Sequence, residues 1–270
     1  MTVGSGLAPH QDLLPIAAQT GRMPAHDPPS PATASRPRTT AQARGAQDSR
    51  RRQLLAAGLG ASVLAATAAA PAGSIRLPAP ARGAPAPLME SLARRRSVRA
   101  FTQDAVSLAD GAELLWAAQG VSAAGDLRTA PSAGALHPLH VFLLAQRVRE
   151  LDPGLYRYQP AAHALEPLGP LPAGWPTAVA GQAWITAAPL VLAIAAATDR
   201  TAARYGSRAA RYVAIEAGAA AQNLALRATA LGLGCVCVGA FHDDLLRREL
   251  RLAAGLDPLL LVPVGHPAAR

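Results

Sequence analysis

The chain contains no lysine: all 26 of its Lys/Arg positions are arginine. This excludes Schiff-base chemistry and a lysine general base, and leaves cations that do not deprotonate at ordinary pH. Aromatic residues make up only 4% of the 270 positions. No basic stripe with interleaved rings occurs, which argues against a nucleic-acid surface. Cysteine occurs twice, at Cys235 and Cys237. In a strand their Cβ atoms would stand about 6–7 Å apart on one face, too far for the ~3.8 Å of a disulfide. No second pair completes a zinc site, so both read as small core residues and no metal is expected. No apolar run reaches the ~20 residues of a good membrane span.

Alanine and other apolar residues are abundant. Half of the chain is hydrophobic, enough for a sizeable core, and the alanines suit closely packed helices. The net charge of +9 is unevenly placed. Residues 1–80 hold eight arginines and three acidic residues, and residues 81–270 hold eighteen and fourteen, so the excesses are +5 and +4. The second part is therefore only mildly basic, an excess that one bound phosphate could consume.

Residues 1–48, rich in Pro, Ala, Ser, Thr and Gln, read as a disordered leader. Residues 49–72 then place Arg50-Arg51-Arg52 before an Ala/Gly-rich apolar stretch and small-residue cleavage sites, the layout of a secretory signal. The Arg51-Arg52-Gln53-Leu54-Leu55 core is similar to a twin-arginine (Tat) signal. Export to the periplasm or extracellular space follows as an expectation, with no stable membrane insertion after cleavage. Residues 73–86 read as a Pro/Ala/Gly linker and 87–270 as one folded domain. In that domain a helical run from Pro87 to Arg96 has Leu88 and Leu92 on one face. Ser107 caps a helix over Leu108–Gln119 that Gly120 ends. Leu139–Ala145 and Leu155–Tyr158 read as strands. Leu190–Ala196 reads as a buried strand with helix left open. Residues 202–231 follow a helical pattern through Tyr212, Ile215, Ala219, Leu226 and Ala230. Cys235–Val238 and Leu259–Val264 read as strands, and Asp243 as the cap of a helix through Leu252. Helices and strands mix without βαβ alternation, so the class is α+β.

Three stretches carry chemistry. Arg94-Arg95-Arg96-Ser97-Val98-Arg99-Ala100-Phe101 offers guanidinium forks and a hydroxyl to a phosphate. Thr129 to Pro138 includes Pro131-Ser132-Ala133-Gly134 and His137, and Gly232 to Phe241 includes Gly239-Ala240. Taken singly, the first is most often a solvated face and the second an ordinary loop. Together, in order and spacing over Leu88–Pro267, they resemble the flavin site of the nitroreductase-like family. The nearest branch is the SagB-type (thiazole/oxazole-forming) dehydrogenases.

The resemblance implies a nitroreductase-like fold, a central mixed or antiparallel sheet flanked by helices, with FMN at a homodimer interface. It assigns Arg95, Arg96 and Ser97 to the phosphate and ribityl chain. Arg99 falls at the pyrimidine end of the ring, where a fixed cation stabilises the anionic reduced flavin. Pro131, Ser132, Ala133 and Gly134 match a loop reaching the flavin from the partner subunit. Gly239 and Ala240 match the segment facing N5, where hydride is transferred. Gly265-His266-Pro267 matches a closing motif in which arginine is commoner than His266, so Arg270 is the candidate for the missing charge. His137, where relatives often carry tyrosine, is a proton-relay candidate. Arg204-Tyr205 stands where azoline-oxidising relatives carry a Lys-Tyr pair. Arginine is no base, which leaves Tyr205 to move a proton. The implied function is an exported FMN-dependent oxidoreductase acting on a small-molecule or peptide-derived substrate. The rivals are an NAD(P)H-dependent nitro or quinone reductase and a non-catalytic flavin-binding or accessory protein.

Overall fold

A computed structural model describes residues 70–81 and 88–269. The expected disordered leader, almost all of the expected signal, and Arg270 lie outside the described residues.

Eleven strands and seven helices are described. In chain order they are β1 (Ile75–Arg76), α1 (Leu88–Arg94), β2 (Val106–Ser107), α2 (Leu108–Gln119), β3 (Val121–Ala123), β4 (Leu127–Arg128), β5 (Leu139–Ala145), β6 (Val148–Arg149), β7 (Gly154–Gln159) and β8 (Ala164–Gly169). There follow α3 (Trp175–Ala178), α4 (Ala183–Ala187), β9 (Leu190–Ala196), α5 (Thr198–Tyr205), α6 (Ala209–Ala230), β10 (Gly234–Cys235), α7 (Asp243–Glu249) and β11 (Asp257–Gly265). Seven strands form one sheet in the order β1-β8-β7-β5-β9-β11-β10, antiparallel at every pairing.

The middle strands are largely apolar, and β9 wholly so, as suits a sheet whose two faces are both covered by helices. Every residue of β9 is buried, and its antiparallel pairing with both β5 and β11 settles it as a strand despite its alanines. One face, with Val141, Leu143, Leu192 and Val264, packs on Leu114, Leu115, Leu224 and Ala228 of α2 and α6. The other, with Phe142, Leu144, Val191 and Leu261, packs on Trp175, Ile185 and Leu246 of α3, α4 and α7. At the head of β5 and the tail of β9, Leu139, Ile194 and Ala196 meet Val213, Ala217, Ala220 and Ala221 of α6. Glu113 of α2 is buried and pairs with Arg227 of α6 at 3.2 Å. Its other oxygen accepts the Ala81 N–H at 2.5 Å.

The α2 caps stand where the sequence puts them: the Ser107 hydroxyl accepts the Asp110 N–H at 3.0 Å and Gly120 ends the helix. Other boundaries differ. Residues 75–76, read as linker, pair with β8 and Leu77 behind them is buried, so the sheet begins before Pro87. Helix α1 is shorter than the run Pro87–Arg96, and Leu88 and Leu92 stand exposed. The helical pattern over 202–231 is two helices, because Gly206 takes φ 53°, ψ −131° between them, a conformation closed to side chains. The strand after α6 ends at Cys235, leaving Cys237 exposed rather than in the core. Helix α7 starts after His242 and stops at Glu249; Asp243 is its first residue rather than its cap.

Candidate functional site

The arginine motif is sewn to the far end of the chain at one edge of the sheet. The Arg96 Nη1 turns back onto the carbonyls of Ala93 and Arg95, at 2.9 and 2.8 Å, and so places a cation at the C-terminus of α1, where the helix dipole favours it. The chain then runs extended beside β10. Ser97 bridges Cys235, and the Val98 N–H donates to the Cys235 carbonyl at 3.0 Å. Phe101 bridges Pro267, and the Thr102 N–H reaches the His266 carbonyl at 2.9 Å. Three motifs far apart in sequence, at 95–101, 234–240 and 265–267, thus share one surface.

Arg95 is half-buried, and its charge acts on both cysteines. Burial pushes the Cys235 thiol up to about 12, and partial desolvation raises that of Cys237 although the residue reaches the surface, with Arg95 opposing in each case. Both thiols are protonated at neutral pH and so weak nucleophiles. Gly239 and Ala240 are exposed, and open space lies where a Cβ on Gly239 would stand. Gln182 Nε2 donates to the Ala240 carbonyl at 2.7 Å and fixes that segment. Arg99 is exposed, its guanidinium carbon 5.7 Å from the centre of the Trp184 ring. Gln182 and Trp184 were not singled out from the sequence, because no local pattern marks a contact made across 58 or more residues.

The loop Pro131–Gly134 sits against α5 and α6 instead. Gly134 has φ 62°, and a Cβ there would meet the Tyr205 hydroxyl at 2.8 Å and Arg204 Nη1 at 2.9 Å. The missing side chain is what lets these two groups approach the loop. The Tyr205 ring stands edge-on to Tyr212 with centroids 5.1 Å apart, and the Arg204 guanidinium lies 5.5 Å from the Tyr205 ring. A cleft of about 270 Å3 runs beside the loop, lined by Pro131, Ser132, Ala133, Tyr212, Ile215 and Glu216. Glu216 is buried and its Oε1 has no partner. Burial raises its pKa, opposed by the Ser132 hydroxyl and the Ala133 N–H. A buried carboxyl in an alanine-rich helix was legible as a polar interruption but was not picked out.

The structure therefore links the arginine motif to the Gly239–Ala240 stretch indirectly, through the pairing of Ser97 and Val98 with Cys235 and through Trp184 and Gln182, which meet Arg99 and Ala240 respectively, and it brings Tyr205 to Gly134 of the loop. Among the described residues no hydrogen bond or ion pair joins the two groups. His137 touches the second group through its backbone alone: its N–H donates to Ser132 Oγ at 2.9 Å, while the residue lines a different cavity with Arg128 and Arg200.

The chain is thus an antiparallel sheet covered on both faces by helices, with arginines at one edge beside exposed glycine backbone. The model of the Nitroreductase family matches residues 92–266, and the chain belongs to that family. A relative from Methanocaldococcus jannaschii, provisionally named a nitroreductase, is 41% identical over 181 residues, covering 66% of this chain and 90% of that protein. The crystal structure of a protein from Ralstonia eutropha, also provisionally named a nitroreductase, is 31% identical with a TM-score of 0.62, over 73% of this chain and 90% of that one. A chain of the Escherichia coli microcin synthetase McbBCD complex is 20% identical with a TM-score of 0.56, over 84% of this chain and 93% of that one; this likeness extends to the fold alone.

Proposed function

We propose that the chain is an exported, FMN-dependent oxidoreductase that works as a homodimer and dehydrogenates a small organic or peptide-derived substrate, as SagB-type enzymes do. The observation that carries the reading is the shared surface of Arg95–Arg99 and Gly239–Ala240. It combines fixed cations with open, side-chain-free backbone, a donor set that fits a phosphate at one end and a planar ring at the other.

Bound FMN supplies two-electron redox chemistry. The chain's residues do the rest. Arg95 and Arg96 hold the phosphate with charge-assisted bonds, and Ser97 adds a hydroxyl. Arg99, stacked on Trp184, keeps a positive charge where negative charge develops. Gly239 and Ala240 present backbone groups to the ring, with Gln182 holding the segment in place. Tyr205 moves the proton. Arg204, in the place of a lysine, remains charged and cannot share that task. Pro131–Gly134 and the outward residues Tyr212 and Ile215 belong to a different surface of the chain, an arrangement that suits a site completed by a second subunit.

A second reading, an NAD(P)H-dependent nitro or quinone reductase, draws on the nitroreductase name of the 41% identical relative. Location divides the two, since an exported enzyme is not normally supplied with NAD(P)H. Anaerobic stopped flow is expected to show slow flavin reduction by NADH and NADPH, and faster reoxidation by oxygen or a soluble quinone. Rapid, saturable bleaching by either nicotinamide at micromolar concentration would favour the reductase.

A further inference from the structure

A second cavity, of about 210 Å3, opens at the head of β5. Gln119 at the end of α2, Arg128 of β4, His137, His140, Arg157 of β7 and Arg200 of α5 line it, and no acidic residue does. Of the residues that the resemblance gave to the flavin site only His137 lines it, and neither the sheet-edge arginines nor Gly239–Ala240 do.

The charges around this cavity do not cancel. Arg128 is neutralised by Asp126, with bonds of 2.9 and 3.0 Å. Arg157 is neutralised by Glu166, at 2.9 and 2.6 Å. Arg200 makes no ion pair among the described residues; its Nη1 donates to the His137 carbonyl at 3.0 Å. One guanidinium is therefore left over, with most of its donors free.

Hydrogen-bonding capacity is left over as well. The Gln119 side chain is only 1% exposed, and neither its Nε2 nor its Oε1 has a partner. His137 Nδ1 is likewise buried without one. Buried amides are nearly always satisfied, so an unused amide and an unused ring nitrogen at one cationic cavity call for an occupant with oxygen atoms. We propose that this cavity is a binding site for a small oxyanion, the carboxylate or phosphate group of a molecule of modest size. Arg200 supplies the charge and Gln119 Nε2 a fixed neutral donor, with the imidazoles of His137 and His140 completing the walls. Burial, then the arginines around them, holds both histidines below the usual imidazole value, as expected in a positive potential that an anion would relieve.

Calorimetry on the purified protein, saturated with whatever FMN it takes up, tests this at constant ionic strength. Inorganic phosphate is the probe in one arm and succinate in the other, and the arm that gives heat identifies the source of the anion. Saturable binding at one site per chain by either probe is expected, weakened about tenfold or more in Arg200→Gln and in Gln119→Leu at unchanged flavin content. Should Arg200→Gln fail to fold, Gln119→Leu carries the comparison through the probe-dependent rise in Tm. No saturable heat from either probe overturns the proposal. So does binding that survives both substitutions, or that is lost in Arg96→Ala instead, which would place the anion at the sheet-edge arginines.

Discussion

Arg99 and Arg96 lie three positions apart on the same surface but are held differently. Arg99 rests on the Trp184 ring, whereas Arg96 is anchored through Nη1 to the end of α1. Arg99→Ala should lower the FMN reduction potential and slow reduction more than it weakens binding. Arg96→Ala should chiefly weaken binding, by roughly ten- to a hundredfold for one charge-assisted bond of ~1.5–3 kcal/mol. Spectroelectrochemistry and FMN titration separate the two, and equal potentials in wild type and Arg99→Ala would remove the reason for placing Arg99 at the ring. Titration of buried groups gives a second expectation. Burial lowers the pKa of His137, His140 and His163 from 6.5. The unfolded chain therefore takes up protons first as pH falls, and their contribution to stability, present above 6.5, is lost through their folded values. Glu216, raised by burial, works in the opposite sense: its contribution is present at low pH and lost as pH rises through its folded value. As pH falls through 6.5 the three histidines therefore cost stability, and the urea midpoint should fall between pH 7.5 and pH 5.5. A midpoint that rises on acidification would contradict this. At this scale the motif arginines and glycines were legible because their types and order are distinctive. Trp184, Gln182, Gln119 and Glu216 were not, because each matters through what folding places beside it.

Helix α6 carries two apolar faces, and the sequence displays the wrong one more loudly. Tyr212 and Ile215 recur at helical spacing, yet Ile215 is 62% exposed. The buried stripe is Val213, Ala217, Ala220, Ala221, Leu224 and Ala228. Alanines let the helix lie close to the sheet but add little to a periodic signal, so larger residues dominate the pattern even where they face outward. Strands β5 and β9 were read to the residue, since burial on both faces leaves them almost wholly apolar, with His140 of β5 as the one polar position. The break at Gly206 was hidden because the apolar pattern continues across it, although φ/ψ there is open only to glycine. The bond between α2 and α6 yields a stability prediction. Arg227→Ala leaves Glu113, buried at 9% exposure, without its cation, at a cost of about 3 kcal/mol. Chemical denaturation should show it as a lower midpoint with unchanged slope. A loss under about 0.5 kcal/mol, the range of ordinary surface changes, would mean that the pair contributes nothing.

For the whole molecule, the fold and the family were legible because three motifs keep their order across Leu88–Pro267, and folding brings two of them to one sheet edge. Where the sheet begins was not, since the two residues of β1 sit in a Pro/Ala/Gly context and become a strand only by pairing with β8. Export is a separate expectation carried by residues 49–72. Replacing Arg51 and Arg52 together by lysine should hold the protein inside the cell, because a twin-arginine route requires the pair; fractionation showing unchanged export would reject that route. In the proposed function this nitroreductase-family chain binds FMN in a site made by two subunits. Analytical ultracentrifugation of the FMN-reconstituted protein, followed at flavin and protein wavelengths together, tests it most directly. A single yellow dimer with one FMN per chain is expected. A stable yellow monomer would contradict the shared site, and a protein that stays colourless after FMN is supplied would contradict the flavin itself.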